Sequence, residues 1–304
     1  MRGERIVVTG GTGSFGKAFV KAALSAGAHK VIVFSRDELK QYEMAQGADP
    51  RVAFFIGDVR DKDRLYRAFR GADAVVHAAA MKQVPACEFN PFEAVKTNVL
   101  GAQNVIEAAI DCGVRRVVAL SSDKSACPIN LYGATKLCSD KLFMAGNAYS
   151  PNGTRFSVVR YGNVMGSRGS VIPLFMKQRE TGTVTITDQR MTRFWITMDQ
   201  AVAFVQMALS RMKGGEIFVP KIPSMKVTDL AEAIAPGCKH HVIGIRGGEK
   251  LHEVLIPEEE CGNAREMDFG YVIRREQSEV PVCKAYRSDT NPWFLTVDEM
   301  RGML

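Results

Sequence analysis

No stretch of the 304-residue sequence approaches the ~18 consecutive apolar residues of a membrane-spanning helix, so no membrane partner is expected. Lysine and arginine leave the chain at a net charge of +7, yet nowhere form a run of five or more. No nucleic-acid-binding signature accompanies them either, which argues against a nucleic-acid partner. The seven cysteines (Cys87, Cys112, Cys127, Cys138, Cys238, Cys261 and Cys283) contain no CxxC pair and are odd in number, so reduced thiols are expected. His240, His241 and His252 lack metal-ligand spacing, and no metal is expected. Internal repeats and low-complexity segments are also missing. Residues 1–5 run directly into a strand-like stretch and leave no room for a signal peptide; together with the thiols this points to a cytoplasmic protein. The remaining composition, 46% hydrophobic and 24% charged, is that of an ordinary soluble globular chain, long enough for one large domain or two closely joined ones. The positive balance suits small anionic ligands.

What is present is alternation. A β-branched run at 5–9 leads through a glycine-rich turn to a helical pattern over 15–26. Strand patterns at 30–34, 52–56, 74–78, 116–120 and 156–160 then alternate with helical patterns near 37–46, 62–69, 91–112 and 131–147. Short apolar strands separated by helices imply right-handed βαβ crossovers and a parallel sheet covered on both faces. The fold class is therefore α/β, a doubly wound parallel sheet, with its ligands at the carboxyl ends of the strands. After about residue 162 glycine and proline become frequent (Gly162, Gly166, Gly169, Pro173, Gly182) and the rhythm breaks. The expected organisation is a first domain over 1–165, rejoined by a returning helical segment at about 194–215. Residues 166–193 and 216–304 would form a smaller, interleaved α/β lobe, with Trp293 and Phe294 anchoring the C-terminal segment.

Between the first strand and the first helix stands Thr9-Gly10-Gly11-Thr12-Gly13-Ser14-Phe15-Gly16, with Gly10, Gly13 and Gly16 in GxxGxxG spacing. Glycines there permit a tight turn and let backbone N–H groups at a helix N-terminus approach a pyrophosphate. Alone, the motif would equally be a plain strand-to-helix turn. Its position at the head of a doubly wound sheet selects the dinucleotide reading. The second strand ends in Phe34-Ser35-Arg36. A carboxylate at that end would hold a ribose 2′-hydroxyl, whereas Ser35 and Arg36 suit a 2′-phosphate gripped by paired donors. NADP is the expected cofactor, and NAD the alternative because Asp37 and Glu38 stand close by. Asp58 and Val59 follow the third strand, where they would meet the adenine; Asp58 by itself would serve equally as a loop cap.

Leu120-Ser121-Ser122-Asp123-Lys124 closes the fifth strand, and Tyr132-Gly133-Ala134-Thr135-Lys136 opens the next helix. A spacing of four puts Tyr132 and Lys136 on one helical face, aimed at the nicotinamide end of the cleft. A nearby ammonium lowers a phenol's pKa, so Tyr132 is the expected acceptor of a hydroxyl proton, and Lys136 would also hold the nicotinamide ribose. YxxxK is common on helix surfaces; the strand before it and the glycine loop supply the context.

With these elements in order, the sequence resembles the extended short-chain dehydrogenase/reductase family, whose fold is of the Rossmann type. The resemblance rests on TGGTGSFG at 9–16, Asp58-Val59, His77-Ala78-Ala79-Ala80, Asn98, Ser121-Ser122, YxxxK, and Tyr161-Gly162-Asn163-Val164. It implies that Ala78, Ala79, Ala80, Asn98, Ser121, Ser122 and Tyr161 join the glycine loop in binding the cofactor. More narrowly, the chain is similar to the inverting UDP-N-acetylglucosamine 4,6-dehydratases that begin pseudaminic acid synthesis. That likeness is carried by SRDELKQ at 35–41, FIGDVRD at 55–61, SDK at 122–124, PINLYGATK at 128–136, MTRFWIT at 191–197, GIR at 244–246 and GEKLHE at 248–253.

The resemblance implies transient oxidation at C4 of the sugar, which acidifies the C5 hydrogen so that water can leave from C6. Tyr132 would take the O4 proton, Lys124 would be the C5 base and Asp123 would protonate the departing hydroxyl. Burial beside Lys136 and a cationic nicotinamide is expected to depress Lys124 into a working base. By the same resemblance Asn163 would bond a phosphate oxygen, Arg193 and Arg246 would neutralise the diphosphate, Glu249 would orient Arg246 or the uridine ribose, and Lys82 would meet the sugar. The implied partner is the UDP-N-acetylglucosamine substrate, with a homo-oligomer, a hexamer, as the implied assembly. Retaining dTDP-glucose-type dehydratases carry Asp-Glu where this chain has Asp123-Lys124; longer membrane-anchored relatives often carry Met at the place of Tyr132. Ser122 stands where inverting relatives usually have Thr, and either hydroxyl reaches O4. The rivals are a 4-epimerase or reductase, a C5-retaining dehydratase, and a non-catalytic NADP-binding scaffold. An epimerase needs Tyr132 and Lys136 but has no use for Asp123 and Lys124; a scaffold needs none of the four.

Overall fold

The computed structural model describes residues 1–150, 153–282 and 284–304, leaving Cys283 outside the described residues. The first half runs β1 (Arg5–Thr9), α1 (Ser14–Ser25), β2 (Lys30–Ser35), α2 (Glu38–Ala45), β3 (Val52–Ile56), α3 (Lys62–Phe69) and β4 (Ala74–His77). Then come α4 (Val84–Phe89), α5 (Pro91–Val95), α6 (Gly101–Asp111), β5 (Arg116–Leu120), α7 (Leu131–Gly146) and β6 (Arg155–Val159). The second half contributes β7 (Asn163–Val164), α8 (Val171–Arg179), β8 (Thr183–Ile186), β9 (Thr192–Ile196), α9 (Met198–Arg211), β10 (Ile217–Pro220), β11 (Ser224–Lys226) and α10 (Val227–Ile234). It closes with β12 (Lys239–Val242), β13 (Val254–Ile256), α11 (Glu258–Cys261), β14 (Ala264–Met267), β15 (Gly270–Ile273), β16 (Tyr286–Arg287) and α12 (Val297–Met303). Among the described residues no helix is long and apolar enough to cross a membrane.

The central sheet has the order β14-β15-β10-β6-β5-β4-β1-β2-β3. From β3 to β10 every neighbouring pair is parallel. Such strands need apolar side chains on both faces, which is why Ile6-Val7-Val8, Val31-Ile32-Val33 and Val75-Val76 are continuous β-branched runs, all fully buried. Each such side chain contributes roughly 1.5–3 kcal/mol on burial. The order reverses between β1 and β4, and that switch point opens the crevice in which a doubly wound sheet takes its ligand. Thr9 and His77 end these two strands and join there, Thr9 Oγ1 to His77 Nδ1 at 2.8 Å.

Three strands from the stretch expected in the smaller lobe lie instead in this sheet. β10 extends it in parallel beside β6, and β15 and β14 close its edge as antiparallel strands. The reason is burial: Ile217, Phe218, Val219, Ala264, Val272 and Ile273 cover an edge that β6 would otherwise expose. Helix α9 packs on α1, β5 and β6. The second lobe has its own core of Met165, Phe175, Ile186, Trp195, Met225 and Leu230 among others. β9 joins the two cores by strand alternation: Phe194 and Ile196 face the first, Trp195 the second. At the C-terminus the buried anchors are Leu295 and Met300, while Trp293 and Phe294, the expected ones, stay 48% and 37% exposed. A capping box at Thr296 and Glu299 starts α12 there.

The helical pattern at 91–112 is interrupted by a π-turn, Lys96–Leu100. The extra residue in that turn swings Asn98 inward. Its side chain accepts from Met81 N at 2.8 Å and donates to Met81 O at 2.9 Å, so it fixes the loop after β4 that faces the cleft.

Candidate active site

At the carboxyl ends of the strands lies a cleft of about 1150 Å³, between the large sheet and the second lobe. Single-ligand pockets run to about 300–1,000 Å³, so this one has room for a dinucleotide and a second ligand together. Its floor is the glycine loop. Gly10 has φ +68°, and a Cβ there would stand 2.8 Å from Ala79 N and 2.9 Å from the Ala78 carbonyl, so β1 and β4 approach at this point only with glycine. The N-cap of α1 is Gly13, with no side-chain cap and no acidic residue in the first turn. The N–H groups of that turn are therefore open to an anion. Thr12, Gly13, Ser14, Phe15 and Gly16 line the cleft, with Ala78, Ala79 and Ala80 opposite.

At the end of β2, Gln41 is buried and donates to the Ser35 hydroxyl and carbonyl, both at 3.0 Å. Ser35 and Arg36 line the cleft together with Lys40 and with Arg168, which arrives from the second lobe. Arg36 lies 3.7 Å from Asp58, whose carboxylate also accepts from the Arg60 backbone and guanidinium. The cations gathered there and the open helix end fit a dinucleotide.

The reacting end is built by α7 and the tight turn before it. Asn130 caps α7 by accepting from Gly133 N at 2.7 Å, while its amide donates to Gly248 O in the other lobe at 2.8 Å. Ser122 opens a single 3₁₀ turn, Asp123–Ser125, which lies flush against α7. Tyr132 and Lys136 are both buried on the cleft side of the helix. One turn further along the same face Asp140 is buried; it accepts from Ser121 Oγ at 2.6 Å and lies 3.9 Å from Arg160. Burial lowers the Lys136 ammonium, against the pull of Asp140. Burial also pushes the Tyr132 phenol up to about 12, and the charge that draws it back is Lys124. The charge that acts on the phenol is thus that of Lys124, on the turn before α7, and not that of Lys136 as expected.

Lys124 itself departs from expectation. Its Nζ lies 3.0 Å from Asp123 Oδ1 and 3.2 Å from Glu253 Oε1. Burial works to lower it, but the two carboxylates outweigh that and, against Arg193, hold the ammonium above the usual lysine range. Asp123 is fully buried, and burial pushes its carboxyl up; Lys124 draws it back and the like charge of Glu253 pushes it up again. A buried carboxyl group and an ammonium in contact beside a buried phenol form an acid–base set for moving protons on a bound ligand.

The structure brings nearly all the expected residues to this cleft, and two stand behind its wall. Asn98 is spent on Met81 and on Thr135, and Asp123 backs Lys124 from beneath. Lys82, Asn163, Arg193, Arg246 and Glu249 line the side toward the second lobe. Burial lowers the Lys82 ammonium. Arg246 pairs with Glu249. Arg193, expected on the diphosphate, directs its guanidinium inward to the carbonyls of Thr192, Leu251 and Lys250 at 2.8, 3.1 and 3.0 Å, because that staples β9 to the segment before β13. Sequence reasoning missed Glu253, Lys250, Asp140 and Arg168. Glu253 and Lys250 lie three apart in the block GEKLHE, and Asp140 follows Lys136 at helical spacing; both were available signals. Arg168 sits in a loop with no pattern to mark it.

The chain is similar to several known proteins. A UDP-N-acetylglucosamine 4,6-dehydratase (inverting) of Campylobacter jejuni subsp. jejuni serotype O:2 is 56% identical over 275 residues, covering 89% of this chain and 82% of that one. A UDP-glucose 4-epimerase of Rickettsia canadensis is 42% identical over 294 residues, covering 93% and 86%. Among solved structures, that of Pen from Bacillus thuringiensis superposes with a TM-score of 0.93 at 38% identity, covering 99% of this chain and 98% of that one. The family model described as polysaccharide biosynthesis protein matches residues 6–275, and the chain belongs to that family.

Proposed function

We propose that this protein is an NADP-dependent UDP-N-acetylglucosamine 4,6-dehydratase that inverts C5, a hydro-lyase giving a UDP-4-keto-6-deoxy sugar for pseudaminic acid synthesis. The observation that carries the reading is the contact of Lys124, which lines the cleft with Tyr132, with the buried Asp123 behind it. Oxidation and reduction at C4 alone, as in a 4-epimerase, leave a buried acid and a lysine with nothing to do. The 56% identity to a relative of that name supports the same choice over the 42% identity to an epimerase.

In this reading the glycine loop, the open end of α1, Ser35 and Arg36 hold NADP, with Lys136 on its nicotinamide ribose. When bound, that group would supply the hydride chemistry, hydride leaving C4 and returning to C6 once water has gone, with a proton returned to C5. Tyr132 would accept the O4 proton as a phenolate, with Lys124 and the positive charge of the oxidised cofactor drawing its pKa down. Lys124 then has to lose a proton before it can take one from C5, and Asp123 Oδ1 is in contact to receive it. That one transfer yields a neutral amine and a carboxylic acid, which are the forms that elimination needs. Exclusion of water by the sugar favours it, since a dry site penalises an ion pair more than a neutral one. Asp123 then gives its proton to the departing C6 hydroxyl. The protein would act in the cytoplasm as a homo-oligomer, a hexamer; a monomer's mass in light scattering would remove the assembly from the reading. Incubation with UDP-N-acetylglucosamine in deuterated water, followed by proton NMR, tests the activity. A C6 methyl with deuterium at C5 is expected, with couplings reporting inversion; unchanged substrate or the 4-epimer would refute the dehydratase.

A further inference from the structure

Glu253 takes no part in that reaction scheme, yet it is the most deliberately seated carboxylate of the cleft. Its backbone is pinned on both sides, Glu253 N donating to Ser288 Oγ and Ser288 N to Glu253 O, each at 2.9 Å. Ser288 in turn bonds the buried Thr192 hydroxyl at 2.7 Å. The side chain is almost wholly buried, and its Oε2 has no hydrogen-bond partner among the described residues. Oε1 lies 3.2 Å from Lys124 Nζ and 3.9 Å from Arg193 Nε, and Oε2 lies 3.9 Å from Lys250 Nζ. An isolated buried carboxylate is strongly unfavourable, so three cations around one such group mark it as a fixed anion. Burial works to raise it, but Lys124, Arg193 and Lys250 together hold it below the usual glutamate range.

We propose that Glu253 is a positioning residue of this site, the fixed counter-charge that holds the Lys124 ammonium in place against Asp123. The groups facing Lys124 are Asp123 and Ser122 on its own turn, Tyr132 on α7, Arg193 on β9, and Lys250 and Glu253 on the segment before β13. Of the two carboxylates, Asp123 has to carry a proton to act as an acid, so the lasting negative charge is Glu253. Its charge favours protons on both neighbours, on Lys124 by attraction and on Asp123 by like-charge repulsion. The resting pair is thereby kept loaded with the proton that a departing hydroxyl requires. The catalytic consequence rests on the dehydratase reading; the charge relation does not.

Two readouts separate them. In the first, the purified protein is treated with acetic anhydride at pH 9 and the acylation rate of Lys124 is read by peptide mass spectrometry. An opposite charge in contact moves a pKa by about 1–3 units, so Glu253→Gln is expected to speed acylation of Lys124 about 10- to 1,000-fold. Glu253→Asp keeps the charge but draws it back, giving a smaller increase, and it serves alone where the glutamine variant does not fold. In the second, both limbs of the pH profile of kcat/KM for dehydration move to lower pH in Glu253→Gln, because both Lys124 and Asp123 lose protons more readily. Equal acylation rates in all three proteins would overturn the proposal. A wild type that leaves the sugar unchanged would sink the dehydratase reading without touching the acylation result.

Discussion

Placing one methyl group on Gly133 tests whether the acid–base turn and the helix that carries Tyr132 work as a single rigid piece. A Cβ built there stands 2.1 Å from the Lys124 carbonyl oxygen and 3.0 Å from its carbon, where ordinary contact begins at 3.4 Å. Both partners are backbone, so no side chain can swing aside, and turn and helix must part by about 1 Å. Overpacking of that kind costs about 1–3 kcal/mol, which at about 2–4 °C per kcal/mol lowers the melting midpoint by several degrees. The kinetic effect is larger. Tyr132 adjoins Gly133 and Lys124 follows Asp123, so the parting displaces the phenol relative to both proton-carrying groups. A misplacement of about 1 Å costs on the order of 100-fold in rate. The assay compares kcat and thermal midpoint of Gly133→Ala with those of Gly262→Ala, whose Cβ meets open space on a helical backbone (φ −62°). The control is expected within about 0.5 kcal/mol of wild type. A Gly133→Ala protein with unchanged kcat would refute the idea that the flush packing sets the catalytic geometry.

His77 supplies a pH dependence of stability. Burial, then Lys136, lowers its pKa from 6.5 to about 3, so below pH 6.5 the unfolded chain binds a proton that the folded one refuses. Stability is full above that pH and falls as the pH drops toward 3; at pH 5 the loss is about 2 kcal/mol. Denaturant titrations at pH 7 and pH 5 should show this difference in the wild type and a smaller one in His77→Asn. Arg36→Ala should weaken NADP binding about 10- to 100-fold and leave NAD binding nearly unchanged, since a hydrogen bond to a charged group is worth about 1.5–3 kcal/mol. Equal losses for both dinucleotides, measured by fluorescence titration, would mean that Arg36 does not read the 2′-phosphate.

The first half of the fold was legible because burial on both faces leaves no freedom in its strands. The patterns at 5–9, 52–56, 62–69 and 116–120 coincide with β1, β3, α3 and β5. What was not legible is which sheet a later apolar run joins. Ile217-Phe218-Val219 would bury equally well in either lobe, and its partner Val158-Val159 is fixed only when the long chain between them has folded. The π-turn at Lys96–Leu100 was hidden for a different reason: one extra residue in a long helical pattern leaves its apolar spacing almost intact, while it turns Asn98 from the surface to the loop after β4.

The site divides along the same line. The placing of Gly10, Tyr132 and Lys136 on the cleft was readable because each is set by its own backbone turn or helix face. The charge state of Lys124 was not, because it is a sum over groups from four parts of the chain. Burial lowers a lysine, and Asp123 and Glu253 together outweigh it. Glu253 reaches Lys124 only because Ser288 and Arg193 pin the segment before β13 against β9. In the proposed reaction the local motif supplies the acid and the base, and the remote anion favours a proton on each of them before the sugar arrives. A substitution anywhere along that pinning, Thr192, Ser288 or Arg193, is expected to act on Lys124 without touching it.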